Sequence, residues 1–226
     1  FSIGMASLNV GVRREQVSVQ SLGNPDPSVD RFELGTRKFS PQSYAMASSW
    51  QWLPNWRLSA NVSRTERAPR DYELFANGPH IATVAWERGQ SGLGLEKANS
   101  MDVSALWQQG AHQMKLTAFQ SRFGNFIGLL GTSEVEEDLP VQVYQGVRAK
   151  FSGFETSGQW RLAQSAGTLD LTWRADAVRA INLNTNDAMP RIAPLRLGAG
   201  LVHASGAWSS HLGFDWHAAQ NRVPEG

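Results

Sequence analysis

Apolar and polar residues alternate with a period of two along most of the chain. From Ser43 to Trp52, Tyr44, Met46, Trp50 and Trp52 fall on one face, with Ser43, Ala45, Ser49 and Gln51 on the other. After Leu53-Pro54-Asn55 the alternation resumes with Trp56, Leu58, Ala60 and Val62 against Arg57, Ser59, Asn61 and Ser63. Two period-two runs joined by a short Pro-containing turn predict an antiparallel hairpin. The pattern recurs over Met101–Gln108, His112–Phe126, Phe154–Leu162, Leu169–Asp176, Leu195–His203 and Trp208–Gln220. With an opening strand near Leu8 to Val19, it predicts about nine strands.

Two regularities separate this pattern from an ordinary sandwich. Short turns near 53–55, 110–111, 163–167 and 204–207 alternate with long connections near 20–41, 66–98, 127–143 and 179–194. Transmembrane barrels show this asymmetry, with short periplasmic turns and long extracellular loops. In addition, Trp50, Trp52, Trp56, Trp107, Trp160 and Trp208 all lie within a few residues of a short turn. Indole favours the membrane–water boundary, so these six predict an aromatic girdle at one end of the strands.

Composition agrees once it is read through the strands. Mean hydropathy is −0.35, as expected if lipid covers only half of each strand. Nine tryptophans and ten phenylalanines are too many for a disordered chain. Net charge is +1, giving no whole-chain attraction to nucleic acid. No cysteine is present, which excludes disulfides, Cys-based zinc sites and Cys nucleophiles. No run approaches the roughly 18 apolar residues of a membrane helix, and no signal segment opens the sequence. The polar face carries Arg57, Asp102, Glu155, Arg161, Asp170, Arg174, Asp176, Arg196 and Asp215, all suited to an aqueous or plugged lumen.

The expected fold is therefore all-β: an antiparallel transmembrane β-barrel segment. Nine strands do not close a single-chain bacterial barrel, which has an even number and no free edge. At about 25 residues per strand, a 22-stranded barrel needs roughly 550 residues. The chain reads as an internal piece of a larger barrel, with a small eight- or ten-stranded barrel as the other reading.

Ser63 to Thr83 resembles the TonB-dependent outer-membrane receptors. In that family a strand ending in R-A-P-x-x-x-E-L-F/Y opens a large external loop; Arg67-Ala68-Pro69 and Glu73-Leu74-Phe75 match it. Further landmarks follow in order: Leu95–Ser100, Phe119–Ile127, Gly153-Phe154-Glu155 and Met189–Leu197. The resemblance implies that residues 1–226 form part of one receptor β-barrel domain, with the plug domain and the C-terminal strands outside this chain. It implies active import of a metal ion or metal chelate (zinc, haem or siderophore-iron) and no enzyme activity. The implied partners are outer-membrane lipid, the TonB energy-transducing complex acting through the plug, and the metal substrate, with no resident cofactor. Ala76–Thr83 resembles a branch associated with zinc or haem-type substrates.

On that reading Asn77-Gly78-Pro79 fixes a turn, and His80 projects towards the lumen mouth, where an imidazole can ligate zinc or haem iron. Asp71, Glu73 and Glu87 lie near it in sequence and could add oxygen ligands, Asp71 and Glu87 being the two chosen beside His80. Equally open is a His80 that packs or hydrogen-bonds its own loop. Arg67 is expected to anchor the strand end. The run Glu134, Glu136, Glu137 and Asp138 reads as a solvated loop tip, or as a cation-attracting mouth. Tyr72, Phe75 and Phe126 could stack a planar ligand or pack the loops. His211 and His217 share a face with Asp215 but lie about 20 Å apart, too far for one ion. No catalytic motif is present. The competing expectations are a non-transporting outer-membrane barrel (an adhesin or small barrel enzyme) and a soluble carbohydrate-binding β-sandwich.

Overall fold

The computed structural model describes residues 2–3, 6–26 and 31–224. In chain order the elements are β1 (Ser2–Ile3), β2 (Ala6–Arg14), β3 (Val17–Ser21), β4 (Gly35–Phe39), β5 (Gln42–Leu53), β6 (Trp56–Arg67) and α1 (Asp71–Phe75). Next come β7 (Asn77–His80), β8 (Ala85–Arg88), β9 (Glu96–Gln109), β10 (His112–Glu136), β11 (Leu139–Gln164), β12 (Thr168–Asn182), β13 (Arg196–Ser205) and β14 (Trp208–His217). One sheet runs β1-β2-β5-β6-β9-β10-β11-β12-β13-β14, and β3-β4 form a separate hairpin. Nine of its strands are long: β2, β5, β6 and β9 to β14. Every pairing between them is antiparallel.

Register fixes the two faces, because residues directly opposite in a ladder point the same way. Met46 pairs with Val62, Val62 with Met101, Leu116 with Ala105, and Leu201 with Leu212. This face leaves Val10, Met46, Val62, Met101, Val103, Leu116, Phe154, Leu212 and Phe214 exposed. Contiguous exposed hydrophobics of this extent mark an apolar partner, here lipid. A soluble sandwich would need a second sheet packed over them, and among the described residues none is there. Across the sheet much of the polar face is paired: Asn61 Nδ2 donates to Asp102 at 3.0 Å, and Arg196 Nε to Asp176 at 2.7 Å. Arg161 pairs with Asp170 and Arg174 with Asp215. Among the described residues no helix is long and apolar enough to cross a membrane; the crossing elements are strands.

Three expectations change. The opening strand breaks at Glu15-Gln16, and Val17–Ser21 leaves the main sheet to pair with Gly35–Phe39. The long connection expected at 127–143 is instead two continuous strands, closed by the two-residue turn Glu137-Asp138. Both turn residues have positive φ, 47° and 62°, the geometry of a tight hairpin with the native twist. The acidic composition there masked an alternation that Val135, Val141 and Val143 continue. Third, Asn77-Gly78-Pro79 is strand rather than turn; the chain reverses at Ile81–Val84.

By register Trp50, Trp56, Trp107, Trp160 and Trp208 lie on the apolar face, while Trp52 falls in the bulge between Gln51 and Leu53. Trp56 opposes Trp107, and Trp107 stacks on Trp160 with centroids 5.7 Å apart. His112 joins them, 4.3 Å from the Trp160 ring. Trp50, Trp52 and Trp208 are exposed. In vesicles, lipids brominated near the headgroup should quench the tryptophan fluorescence of the intact protein more than lipids brominated at the terminal methyl. Absence of quenching by either would mean that protein, not lipid, covers this face.

Candidate functional site

The outer end of β6 builds the loop platform. Arg67 lies between two carboxylates, with Nη1 2.8 Å from Glu73 Oε2 and Nε 3.1 Å from Glu96 Oε1. Nη2 contacts both acids, at 3.1 and 3.0 Å. Glu73 is buried and also accepts the Arg70 backbone N–H at 2.7 Å, capping the first turn of α1. Glu96 accepts the Ile127 N–H at 3.0 Å. One guanidinium thus ties β6, α1, β9 and β10 together with charge-assisted bonds. Pro69 is fully buried between these elements. Ala68 contributes its carbonyl, which accepts from Arg67 Nη1 at 3.2 Å.

α1 drops Leu74 and Phe75 into a core with Leu93 and Ile127, against which Val19, Phe39 and Tyr144 pack. Segments from three external connections therefore share one small core. Polar latches reinforce it. Arg88 binds Glu134 at 2.9 Å and Glu136 at 2.6 Å. Those hydrogen bonds, to Glu136 and then Glu134, hold the guanidinium above its ordinary range. Arg31 lies over the buried Trp86 ring and reaches Glu137 at 3.6 Å. The acidic run is a loop latch.

β7 and β8 form a hairpin laid over this platform, with β8 adding in parallel to β11 at Val141–Val143. Pro79 pairs with Trp86, and His80 pairs with Ala85 just below the reversal. Gly78 opposes Glu87, so His80 and Glu87 share a face. His80 Nδ1 stands 3.4 Å from Glu87 Oε1, its side chain 56% exposed against 10% for the glutamate. Glu87 Oε1 accepts from Thr83 Oγ1 at 2.8 Å, and Oε2 from the Tyr144 hydroxyl at 3.1 Å. Burial, and then the adjacent Glu87 carboxylate, push the Tyr144 hydroxyl above its ordinary range, so it stays a donor. The result is an exposed imidazole over a carboxylate oriented from beneath.

Sequence spacing placed His80, Glu87 and Asp71 together. The fold brings His80 and Glu87 together, while Asp71 is exposed in the first turn of α1. Among the described residues no three His, Asp or Glu side chains gather as a metal site. Glu73 is committed to Arg67. Thr83 and Tyr144 were missed: Tyr144 arrives from 57 residues away, which no local spacing signals. Tyr72 packs on Tyr144 at 5.6 Å. Phe75 is in the loop core, and Phe126 packs with Phe123 and Phe151 in a second cluster beneath Met189 and Ile192.

An antiparallel sheet with a lipid face, a polar face and a consolidated loop end has the form of an outer-membrane β-barrel wall. The family description "TonB dependent receptor-like, beta-barrel" matches residues 1–225. The chain belongs to this family. Membership places the receptor wall in the outer membrane. Among solved structures, "Copper transporter OprC" is similar over 100% of this chain and 34% of its own, at 20% identity and TM-score 0.80. "The FrpB iron transporter from Neisseria meningitidis (F3-3 variant)" is similar over 89% of this chain and 28% of its own, at 15% identity and TM-score 0.60. The chain thus spans about a third of the length of the copper transporter, and these likenesses establish the receptor fold.

Proposed function

We propose that these strands and loops are the wall and part of the substrate mouth of a TonB-dependent receptor that imports a metal ion or metal chelate. The observation that carries the reading is the His80–Glu87 pair: an exposed imidazole beside a buried carboxylate, on a hairpin fixed to the loop core. An exposed imidazole with a carboxylate behind it is a favourable arrangement for a borderline or soft metal, because the second group helps to orient the ring. A single exposed protein donor, the outer ring nitrogen of His80, leaves positions for ligands from the rest of the mouth or from a chelator. That suits a cargo that must be released. The likeness to a copper transporter and an iron transporter favours the same substrate class. Energy would come from the TonB complex acting through the plug domain that such receptors carry.

The test is binding of copper, zinc and haem by the intact receptor and by its His80→Ala variant. Affinity for the cognate metal should fall about tenfold or more, with Glu87→Gln giving a smaller loss. Equal affinities for wild type and His80→Ala would remove this pair from substrate capture. Uptake that persists without the TonB complex would remove the active-import reading as a whole.

A further inference from the structure

A cleft of about 690 Å³ lies between the projecting ends of β10 and β11 and the connection that follows β12. That is within the roughly 300–1,000 Å³ of small-molecule sites. Leu130, Val147 and Met189 supply its apolar lining, and Gln142, Asn182, Asn184, Asp187 and Arg191 its polar lining. The connection is fixed in place. Asn182 N–H donates to the Asp187 carbonyl at 2.9 Å, Asn186 N–H to the Asn182 carbonyl at 2.8 Å and Met189 N–H to the Ala180 carbonyl at 3.1 Å. Arg191 is held at a φ of 61°, a region disfavoured for a residue with a Cβ. Backbone held in such a conformation gathers at ligand sites.

The amide oxygens of the cleft already accept bonds from the protein. Asn184 Oδ1 accepts the Arg148 backbone N–H at 2.8 Å, and Asn182 Oδ1 accepts the Asn184 N–H at 2.9 Å. Gln142 Oε1 accepts from Arg191 Nη2 at 3.0 Å. These bonds fix which way each amide is turned, since only its oxygen can accept. Three NH2 groups are left to offer, and none has a partner among the described residues. Arg191 keeps further N–H donors beside them. One acceptor stands in this donor cluster: Asp187, whose carboxylate has no ion pair among the described residues. Donors around a guanidinium match a carboxylate, and a lone carboxylate matches a hydroxyl. The apolar lining suits the C–H face of a ring.

We propose that this cleft binds a sugar acid, free or at the end of a glycan, with its carboxylate on Arg191 and the amide N–H groups and a ring hydroxyl on Asp187. A guanidinium and a carboxylate form bidentate, charge-assisted bonds, which fix the orientation of the ring as well as holding it. A simple carboxylic acid leaves Asp187 unanswered, and a neutral sugar leaves Arg191 so. The proposal uses the external placement of these loops but is independent of the metal at His80 and of what the receptor imports.

Titration calorimetry of the intact receptor in detergent tests it, with glucuronate, glucose and acetate as probes. Glucuronate should bind at least about tenfold more tightly than either of the others. Arg191→Gln should remove most of the preference for glucuronate over glucose. Asn184→Asp keeps the oxygen that accepts the Arg148 N–H but replaces a donor with negative charge, and it should weaken glucuronate about tenfold or more. A glucuronate-ended oligosaccharide separates the two sources: binding equal to that of the free acid points to a glycan end, weaker binding to the free acid, and either result supports the cleft. Glucuronate bound no better than glucose by wild type, or with unchanged affinity by both variants, would overturn the proposal. Acetate binding as tightly as glucuronate would overturn it too, by reducing the site to a free-anion patch.

Discussion

Arg67→Met should open the external loop platform while leaving the membrane strands assembled. The substitution keeps much of the apolar stem but strands two carboxylates, whose side chains are only 7% and 16% exposed. Removing one partner of a buried ion pair costs about 3–5 kcal/mol; the partial exposure of Arg67 lowers this to about 2–4 kcal/mol. That corresponds to roughly a 30-fold or greater rise in the open population of the 68–95 segment. Tryptic nicking at Arg70 and Arg88 under native conditions measures it. Adding Glu73→Gln should recover part of the loss, since one stranded charge is neutralised and its oxygen can still cap Arg70. Arg67→Lys should recover less than the wild-type stability, because an ammonium cannot hold two carboxylates in parallel forks. Wild-type nicking of Arg67→Met would mean that α1 and the Leu74 core hold the platform without the ion cluster.

The parts of the molecule visible in the sequence are those governed by local periodicity. Strands β5, β6, β9, β12, β13 and β14 follow alternation that one window of residues displays, and their faces follow from parity alone. The clustering of tryptophans at the turn ends was legible for the same reason, each lying beside a turn marked by Pro, Gly or Ala. Elements whose partners are distant were not legible. Val17–Ser21 alternates as well as any strand, yet its partner is Gly35–Phe39 rather than the main sheet. The Glu134–Asp138 segment looked like a loop because its acids suit solvent. What turns it into a hairpin tip is Arg88 and Arg31, both remote in sequence. The same distinction divides the site. His80 stood out by residue type, and its tie to Glu87 by proximity along the chain. That Tyr144 and Thr83 orient Glu87, and that Asp71 faces away, depended on how α1 docks.

That docking rests on Gly89, and Gly89→Ala should undo it. A Cβ at this position would sit 2.6 Å from the Leu74 carbonyl carbon and 2.6 Å from the Phe75 nitrogen, with the Ala76 nitrogen at 2.8 Å. All three are backbone atoms, so no rotamer change can yield the space, and α1 has to retreat. Retreat breaks the bonds from Gly89 N–H to the Ala76 carbonyl (2.6 Å) and from Gln90 N–H to the Glu73 carbonyl (2.9 Å). It also draws Leu74 and Phe75 away from Leu93 and Ile127. Overpacking costs about 1–3 kcal/mol and each lost hydrogen bond about 1 kcal/mol, so the platform should lose about 3–5 kcal/mol of local stability. Native-state proteolysis of the 68–95 loop is again the readout, and metal affinity should fall with it because His80 rides on the same hairpin. Gly92→Ala and Gly94→Ala are the controls: their Cβ positions meet nothing within 4 Å, and each should stay within about 0.5 kcal/mol of wild type. If Gly89→Ala behaves like those two, close backbone approach is not what seats α1, and the burial of Leu74 and Phe75 must be sufficient alone.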